Sequence, residues 1–411
     1  MLDRVERGEL TEADLRDPAR WHVMRPIELE LFLFSRVRRP IVAVTSYEEL
    51  RSDLARVWVV DDRDRRMAIR VWMHPQHPGV PCRFSQVLHP AGYEVREATE
   101  DDGAALRELE HRVPVLRADG STVTYNRPDP FAQLRLMGDA APLVVEHDGS
   151  VVATHIDAFQ DVRIAGEIVP SMYRLHTRAL PEHQGAGLYA TMTGFQLERF
   201  RADEKIPTGR AFAAVGNTKV DRFGYWDTTA TQVVFECAST AAPAEAAART
   251  AMPHDAAQIA ALLDASHGTQ ELFVGATSTS VDERLTRSPH DYGYIDVLLG
   301  SGAVAGVWDS GWSITIERDG TPVAEQRLAF LADWGARSGA EDELLALVQQ
   351  WCTVLAAKGV THLFGFADNT TAAGRALTHA ATSTTKFRHS CTIPEPTSAA
   401  QRGIYIDPIW F

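Results

Sequence analysis

Cysteine is scarce in this chain: Cys82, Cys237, Cys352 and Cys391 are the four in 411 residues. They are scattered, with no CxxC pair and no histidine cluster nearby, which excludes a disulfide framework and the spacing of a zinc site. Nothing beside any of them marks an activated thiolate, so they read as reduced, packed thiols. Long apolar runs are missing too, and no stretch approaches the roughly 18 consecutive apolar residues of a membrane span. The opening residues, Met1 to Glu9, are charged and lack the apolar core of a secretory signal, so a cytoplasmic location is expected. Basic residues fall short of acidic ones, 41 against 55, for a net charge of −14. That deficit argues against general nucleic-acid binding, which depends on phosphate neutralisation. It suits a cationic substrate such as an amine.

What is present is ample core material: 45% hydrophobic and 23% charged residues, the proportions of a soluble globular protein. At roughly 150 residues per domain the length suggests two or three domains. An internal repeat organises most of it. Arg96 to Leu109 (REATEDDGAALREL) matches Arg249 to Leu262 (RTAMPHDAAQIAAL) in its Arg, Ala, Asp and aliphatic positions, at an offset of 153 residues. Phe212 to Asn217 (FAAVGN) matches Phe364 to Asn369 (FGFADN) at an offset of 152. Two distant landmarks with nearly equal offsets indicate two copies of one fold, at 93–238 and 248–411. The small-residue stretch 239–247 between them reads as a linker.

The first copy reads as a strand (Tyr93 to Ala98) and an amphipathic helix through Leu106, Leu109 and Val113. A hairpin follows, turning at His147-Asp148-Gly149, then a turn at Ala165-Gly166 and a strand from Ser171 to Leu180. A helix from Leu188 to Arg201 and a strand from Arg210 to Val215 complete it. In the second copy the matching pieces are Ile295 to Leu299, Arg327 to Ala332, a helix from Asp342 to Ala357 and a strand from Thr361 to Phe366. Residues 1–92 stand apart as an extension without a functional reading. Within them Thr45-Ser46-Tyr47-Glu48-Glu49 has the form of a capping box that opens a helix. Arg56 to Val60 and Met67 to Met73 read as a hairpin, and Pro75, Pro78 and Pro81 as a loop.

The informative segment is Tyr173 to Met192. A strand ends at Leu180, Pro181 breaks it, and a glycine-bearing turn runs directly into a helix. Such a turn binds anions, because the first N–H groups of a helix lack internal partners and its dipole favours negative charge. Glycines let the backbone approach a phosphate closely. Gln184-Gly185-Ala186-Gly187, three residues after Pro181, resembles the Gln/Arg-x-x-Gly acetyl-CoA loop of the GCN5-related N-acetyltransferases. The family usually follows with Gly or Ala two residues after the last glycine, where this chain has Tyr189. Asn217, just after the next strand, is similar to the family's asparagine beside the pantetheine arm. The second copy departs here, with Glu341, Asp342 and Glu343 at its helix start, which would repel a pyrophosphate.

The resemblance implies an α/β (α+β) chain of two tandem domains of the family's fold, each a mixed, mostly antiparallel sheet flanked by helices, plus the N-terminal extension. It implies acetyl-CoA or another acyl-CoA as cosubstrate, no metal, and a cofactor site built from Ala179, Leu180, Gln184, Gly185, Ala186, Gly187, Leu188 and Asn217. A strand N–H, that of Ala179 or Leu180, would serve the thioester oxyanion.

Acyl transfer also needs a neutral amine, although a lysine-like amine has a pKa near ~10.4, and a proton for the departing thiolate. His176 has a suitable intrinsic pKa for a base and shares one strand face with Arg174 and Arg178 by period two. Asp157 and Asp161 could hold a cationic amine. The family's acid is often a tyrosine after the asparagine; a simple count places Gly224 there, and Tyr225 stands beside it. The run Arg222-Phe223-Gly224-Tyr225 is similar to a segment of the enhanced-intracellular-survival aminoglycoside acetyltransferases, whose acid tyrosine precedes it, where this chain has Val220. That group also uses its C-terminal carboxylate, which would be that of Phe411.

The expected function is transfer of an acetyl or other small acyl group to a small-molecule amine by direct attack in a ternary complex. The rivals are a malonyl-thioester decarboxylase on the same scaffold and a non-catalytic acyl-CoA-binding protein.

Overall fold

The computed structural model describes residues 41–51, 54–61, 66–74, 77–89, 92–117, 119–199, 208–215, 225–238, 248–391 and 395–410. Its helices are α1 (Gly103–Arg112), α2 (Ala132–Met137), α3 (Leu188–Arg199), α4 (Ala256–His267), α5 (Ser278–Arg287), α6 (Glu341–Ala357), α7 (Ala372–Ala380) and α8 (Thr397–Arg402). Contacts divide the chain into two units, one of residues 1–96, 143–153 and 179–205, the other of 97–142, 154–178 and 206–411.

The first unit contains a four-stranded antiparallel sheet, β1 (Ile41–Arg51), β2 (Leu54–Asp61), β3 (Arg66–His74) and β4 (His77–His89), in sequence order. The β2–β3 hairpin matches expectation. The helix start at Thr45 does not: that segment is β1, because Ile41, Val42, Val44, Thr45 and Tyr47 favour an extended, paired backbone over a cap. Pro78 and Pro81 lie within β4 rather than in a loop. They are tolerated because β4 is an edge strand whose register with β3 is irregular at Met73. α3 runs alongside β4. The remaining strands of this unit are β5 (Tyr93–Glu97) and the adjoining ends of β8 (Ala140–His147) and β9 (Ser150–Ile164), in the order β9-β8-β5. Asp148 (φ 50°) and Gly149 (φ 73°) make the tight turn between β8 and β9.

In the second unit the strands pair in the order β13-β14-β15-β17-β18-β12-β19-β11-β10-β9. Here β10 is Glu167–Ala179, β11 Thr208–Ala214, β12 Tyr225–Glu236 and β13 Arg249–Thr250. Further along are β14 (Val297–Leu299), β15 (Ala303–Trp308), β17 (Thr321–Ala336), β18 (His362–Ala367) and β19 (Ser383–Cys391). Two pairs are parallel, each by three rungs: Ser171–Tyr173 with Thr208–Arg210, and Leu328–Phe330 with His362–Phe364. A side sheet joins β6 (Val115–Leu116), β7 (Thr122–Asn126) and β16 (Ser313–Arg318) to β17.

The order shows an exchange. β12, which precedes the linker, lies between β18 and β19, and β19, from the chain's end, lies between β12 and β11. The two stretches at 93–238 and 248–411 thus complete each other's sheets.

The helices cover these strands through their apolar stripes. α6 buries Leu344, Leu347, Val348, Trp351 and Leu355, spaced three and four apart, against β15 and β17, while its three first-turn acids complement the helix dipole. α1 and α4 start alike. Asp102 accepts the Thr99 N–H at 2.8 Å and Asp255 accepts the Met252 N–H at 2.8 Å, both carboxylates being buried. In each the carboxylate reaches back to the N-cap N–H, one half of a capping box, at positions 153 residues apart.

Candidate functional site

The glycine loop lies in the first unit. β10 ends at Ala179, Pro181–His183 form one 3-10 turn, and α3 begins at Leu188. Gly185 (φ +83°) and Gly187 (φ +86°) adopt the left-handed conformation that lets so short a turn re-aim the chain into the helix. The loop is pinned from within its unit: His183 Nδ1 lies 2.9 Å from the Tyr93 hydroxyl, and its ring contacts that of His147. The Gln184 side chain turns back to donate to the Ala179 carbonyl at 3.0 Å, so it braces the turn. Leu188 is buried and anchors the helix, while Tyr189 is exposed. The segment is a two-glycine strand-to-helix turn, within which the Gln184 and Ala186 N–H groups donate to the Pro181 and His183 carbonyls at 3.3 and 3.4 Å.

Of the two oxyanion donors expected, Leu180 is already engaged: its N–H donates to the Val152 carbonyl at 2.9 Å. Ala179, the other expected donor, is the last residue of β10. Asn217, Val220, Gly224 and Phe411 lie outside the described residues, as does the Tyr225 side chain, although Tyr225 opens β12.

The other expected groups lie in the second unit, and their surroundings differ from a simple reading of the strand. His176 has φ +53°, a left-handed kink inside β10 that interrupts period-two alternation. Arg174, His176 and Arg178 therefore have separate partners. Arg174 Nε–H donates to Asp157 at 2.9 Å, and Arg178 lies over the Tyr125 ring.

His176 is held by a chain of bonds with one polarity. Arg127 donates to its Nδ1 (3.0 Å), its Nε2–H donates to Gln133 Oε1 (2.7 Å), and Gln133 Nε2–H donates to the Ile409 carbonyl (2.7 Å). Arg127 is itself buried, paired with Glu110, and flanked by the Tyr125 and Trp312 rings. Burial first, and then the Arg127 and Arg178 charges, hold the His176 pKa well below its ordinary value. The imidazole is neutral with both nitrogens engaged, which suits positioning better than proton abstraction.

Asp157 is fully buried, and both its oxygens are taken, one by Arg174 and the other by His155 Nε2 at 2.8 Å. Burial pushes its carboxyl up, but His155 and Arg174 outweigh it and hold the pKa below the usual carboxylate value. It presents no open face to an acceptor amine. Asp161 differs, since it is exposed and lines a cavity.

That cavity, of about 400 Å³, lies wholly within the second unit, among β9, β10, β11, α4, α5 and the segment 405–407. On its wall Arg284 donates to Asp333 (2.9 Å) and to Asp407 (3.1 Å), and the buried Tyr292 hydroxyl donates to Asp333 at 2.8 Å. Arg210 is the other notable group, and the sequence offers no signal for it. Arg127, Gln133 and Arg284 are equally silent, being single polar residues whose partners are distant in sequence.

Glu343, in the first turn of α6, accepts the Ser301 and Gly302 N–H groups of the β14–β15 turn at 2.7 and 2.8 Å. Among the described residues no three His, Cys, Asp or Glu side chains are placed to hold a metal, and no helix is long and apolar enough to cross a membrane.

The strand order, the two short parallel pairs and the helix cover define a mixed α/β fold that solved structures share. Saccharomyces cerevisiae N-myristoyltransferase with bound myristoyl-CoA is similar to this chain at a TM-score of 0.53 and 10% identity, over 75% of this chain and 85% of that one. A second solved structure of that enzyme with myristoyl-CoA gives a TM-score of 0.51 at 10% identity, over 77% and 86%. A GCN5-related N-acetyltransferase from Kribbella flavida, at 16% identity over 72% of this chain and 71% of that one, reaches a TM-score of only 0.39 and carries no weight. No family model matches the chain, and no curated protein does. The likeness is one of fold.

Proposed function

We propose that this chain is an acyl-CoA-dependent N-acyltransferase acting on a small-molecule amine. The observation that carries the reading is the loop Pro181–Leu188. It is a two-glycine strand-to-helix turn, both glycines at positive φ, on the fold of an enzyme solved with myristoyl-CoA bound. The loop amides and the dipole of α3 would hold the coenzyme pyrophosphate, with Gln184 bracing the turn and Leu188 fixing the helix start. The Ala179 N–H is a candidate donor to the oxyanion. In the reaction the amine nitrogen forms a new C–N bond, the thioester C–S bond breaks, and the proton leaving nitrogen balances the thiolate as free CoA thiol. Direct attack in a ternary complex needs no nucleophile from the protein.

We read 93–238 and 248–411 as copies of one unit of which only the first keeps the coenzyme loop. The matching bonds of Asp102 and Asp255 to their N-cap N–H groups and the twin three-rung parallel pairs support this.

Gly187→Glu tests the loop. It places a carboxylate where the phosphates would sit, and should abolish acetyl-CoA binding in calorimetry. Gly187→Ala carries the same backbone strain of about 1–2 kcal/mol without the charge, and should retain most of the binding. If Gly187→Glu bound acetyl-CoA as the parent does, the loop assignment would be wrong.

A further inference from the structure

Arg210 stands out among the buried cations. It is 4% exposed, its Nε–H donates to the Ser171 hydroxyl, and its Nη2 has no hydrogen-bond partner. The groups that act on it electrostatically are the Tyr173 phenol and the Cys391 thiol, so no carboxylate balances it among the described residues. Burial lowers its pKa to about 10, which leaves it charged at neutral pH. A buried charge without a counter-ion is costly, and natural proteins keep one where a ligand supplies the missing partner. Arg210 also forms the last rung of the β10–β11 pair and lines the cavity.

The other arginines on that wall are engaged. Arg284 is shared by Asp333 and Asp407, and Arg287 donates to the Leu136 carbonyl at 2.8 Å. Two lining carboxylates, Asp139 and Asp161, have no cationic partner among the described residues. The cavity thus offers one unmatched positive group and two unmatched negative ones. A dianion would be repelled by the four lining aspartates, whereas a zwitterion meets both signs. The rest of the lining includes Phe159, Phe212, Leu263, Leu272 and Phe273, which is apolar and suits an aliphatic or aromatic side chain.

We propose that this cavity binds an amino acid with an apolar side chain, with its carboxylate on Arg210.

The test is calorimetry on the full chain with L-leucine and L-phenylalanine, each against the amine left when its carboxylate is removed, and with inorganic phosphate. The amino acids should bind at least about tenfold tighter than their amines, the equivalent of 1.4 kcal/mol, and phosphate should not displace them. In Arg210→Met that ratio should fall to near one while amine binding stays unchanged. The wild-type ratio decides the matter even if the variant fails to fold. Equal affinity for acid and amine, displacement by phosphate, or no binding of either amino acid would overturn the site.

Discussion

His389 shows how much a single buried side chain can decide. It is fully buried between Phe212 and Trp226, with ring centroids 4.9 and 4.5 Å away, and neither ring nitrogen has a hydrogen-bond partner. Burial first, and the Arg210 charge second, push its pKa well below the ordinary value. As pH falls through about 6.5 the unfolded chain takes up a proton that the folded one refuses. The contribution is complete above that pH and declines below it. His389→Leu removes an unsatisfied polar group, so at pH 7 it should be neutral or stabilising by about 1 kcal/mol. It should also flatten the fall in Tm between pH 7 and 5; a Tm several degrees lower at pH 7 would refute this. His176 makes the opposite case, because its nitrogens are both satisfied. His176→Ala strands the Arg127 and Gln133 groups, at a cost of about 1–3 kcal/mol, while the pH–rate profile should keep its shape. Loss of an inflection near pH 6–7 in that variant would instead make His176 the base.

At the scale of elements, legibility in the sequence followed local chemistry. The glycine-bearing turn into α3 and both hairpin turns are legible because each depends on residues a few positions apart. Where a contact between distant residues decided the outcome, reading failed. Thr45 to Glu49 has cap chemistry but pairs as β1 with β2, and β4 carries two prolines that an edge strand tolerates. The kink at His176 has no glycine to announce it, and it separates three residues that alternation had placed together. The twin caps offer a direct check. Asp102→Ala and Asp255→Ala should each cost about 0.5–2 kcal/mol, seen as a lower denaturation midpoint. Asp255→Ala should cost more, since Asp255 also binds both Arg249 Nη atoms at 2.6 Å. That pair and the Met252 N–H hold the Asp255 pKa down at about 2. Its contribution is therefore present above the ordinary carboxylate pKa and lost as pH falls through about 2. Equal, negligible effects of both substitutions would show that the helices do not depend on these caps.

For the molecule as a whole, the strand exchange sets how the chain can be divided. A repeat in sequence does not show which stretch receives each strand. Here β18 pairs with β12 over six residues, Thr231–Glu236, and β11 pairs with β19 over five, Arg210–Ala214. Expressed alone, 248–411 would leave the β12-facing edges of β18 and β19 open, with the backbone groups of both unpaired. Residues 1–238 alone would lose β19 from beside β11. Exposed, apolar strand edges of this kind associate rather than stay single. Each half alone should therefore aggregate or melt without cooperativity. Coexpressed as separate chains, 1–238 and 248–411 should copurify as a one-to-one complex, because every β12 and β19 pairing can re-form without the linker. Size-exclusion chromatography with calorimetry reads both outcomes. A monomeric 248–411 with a sharp unfolding transition would mean that β12 is dispensable to the second half, and that the exchange is a consequence of proximity rather than a condition of folding.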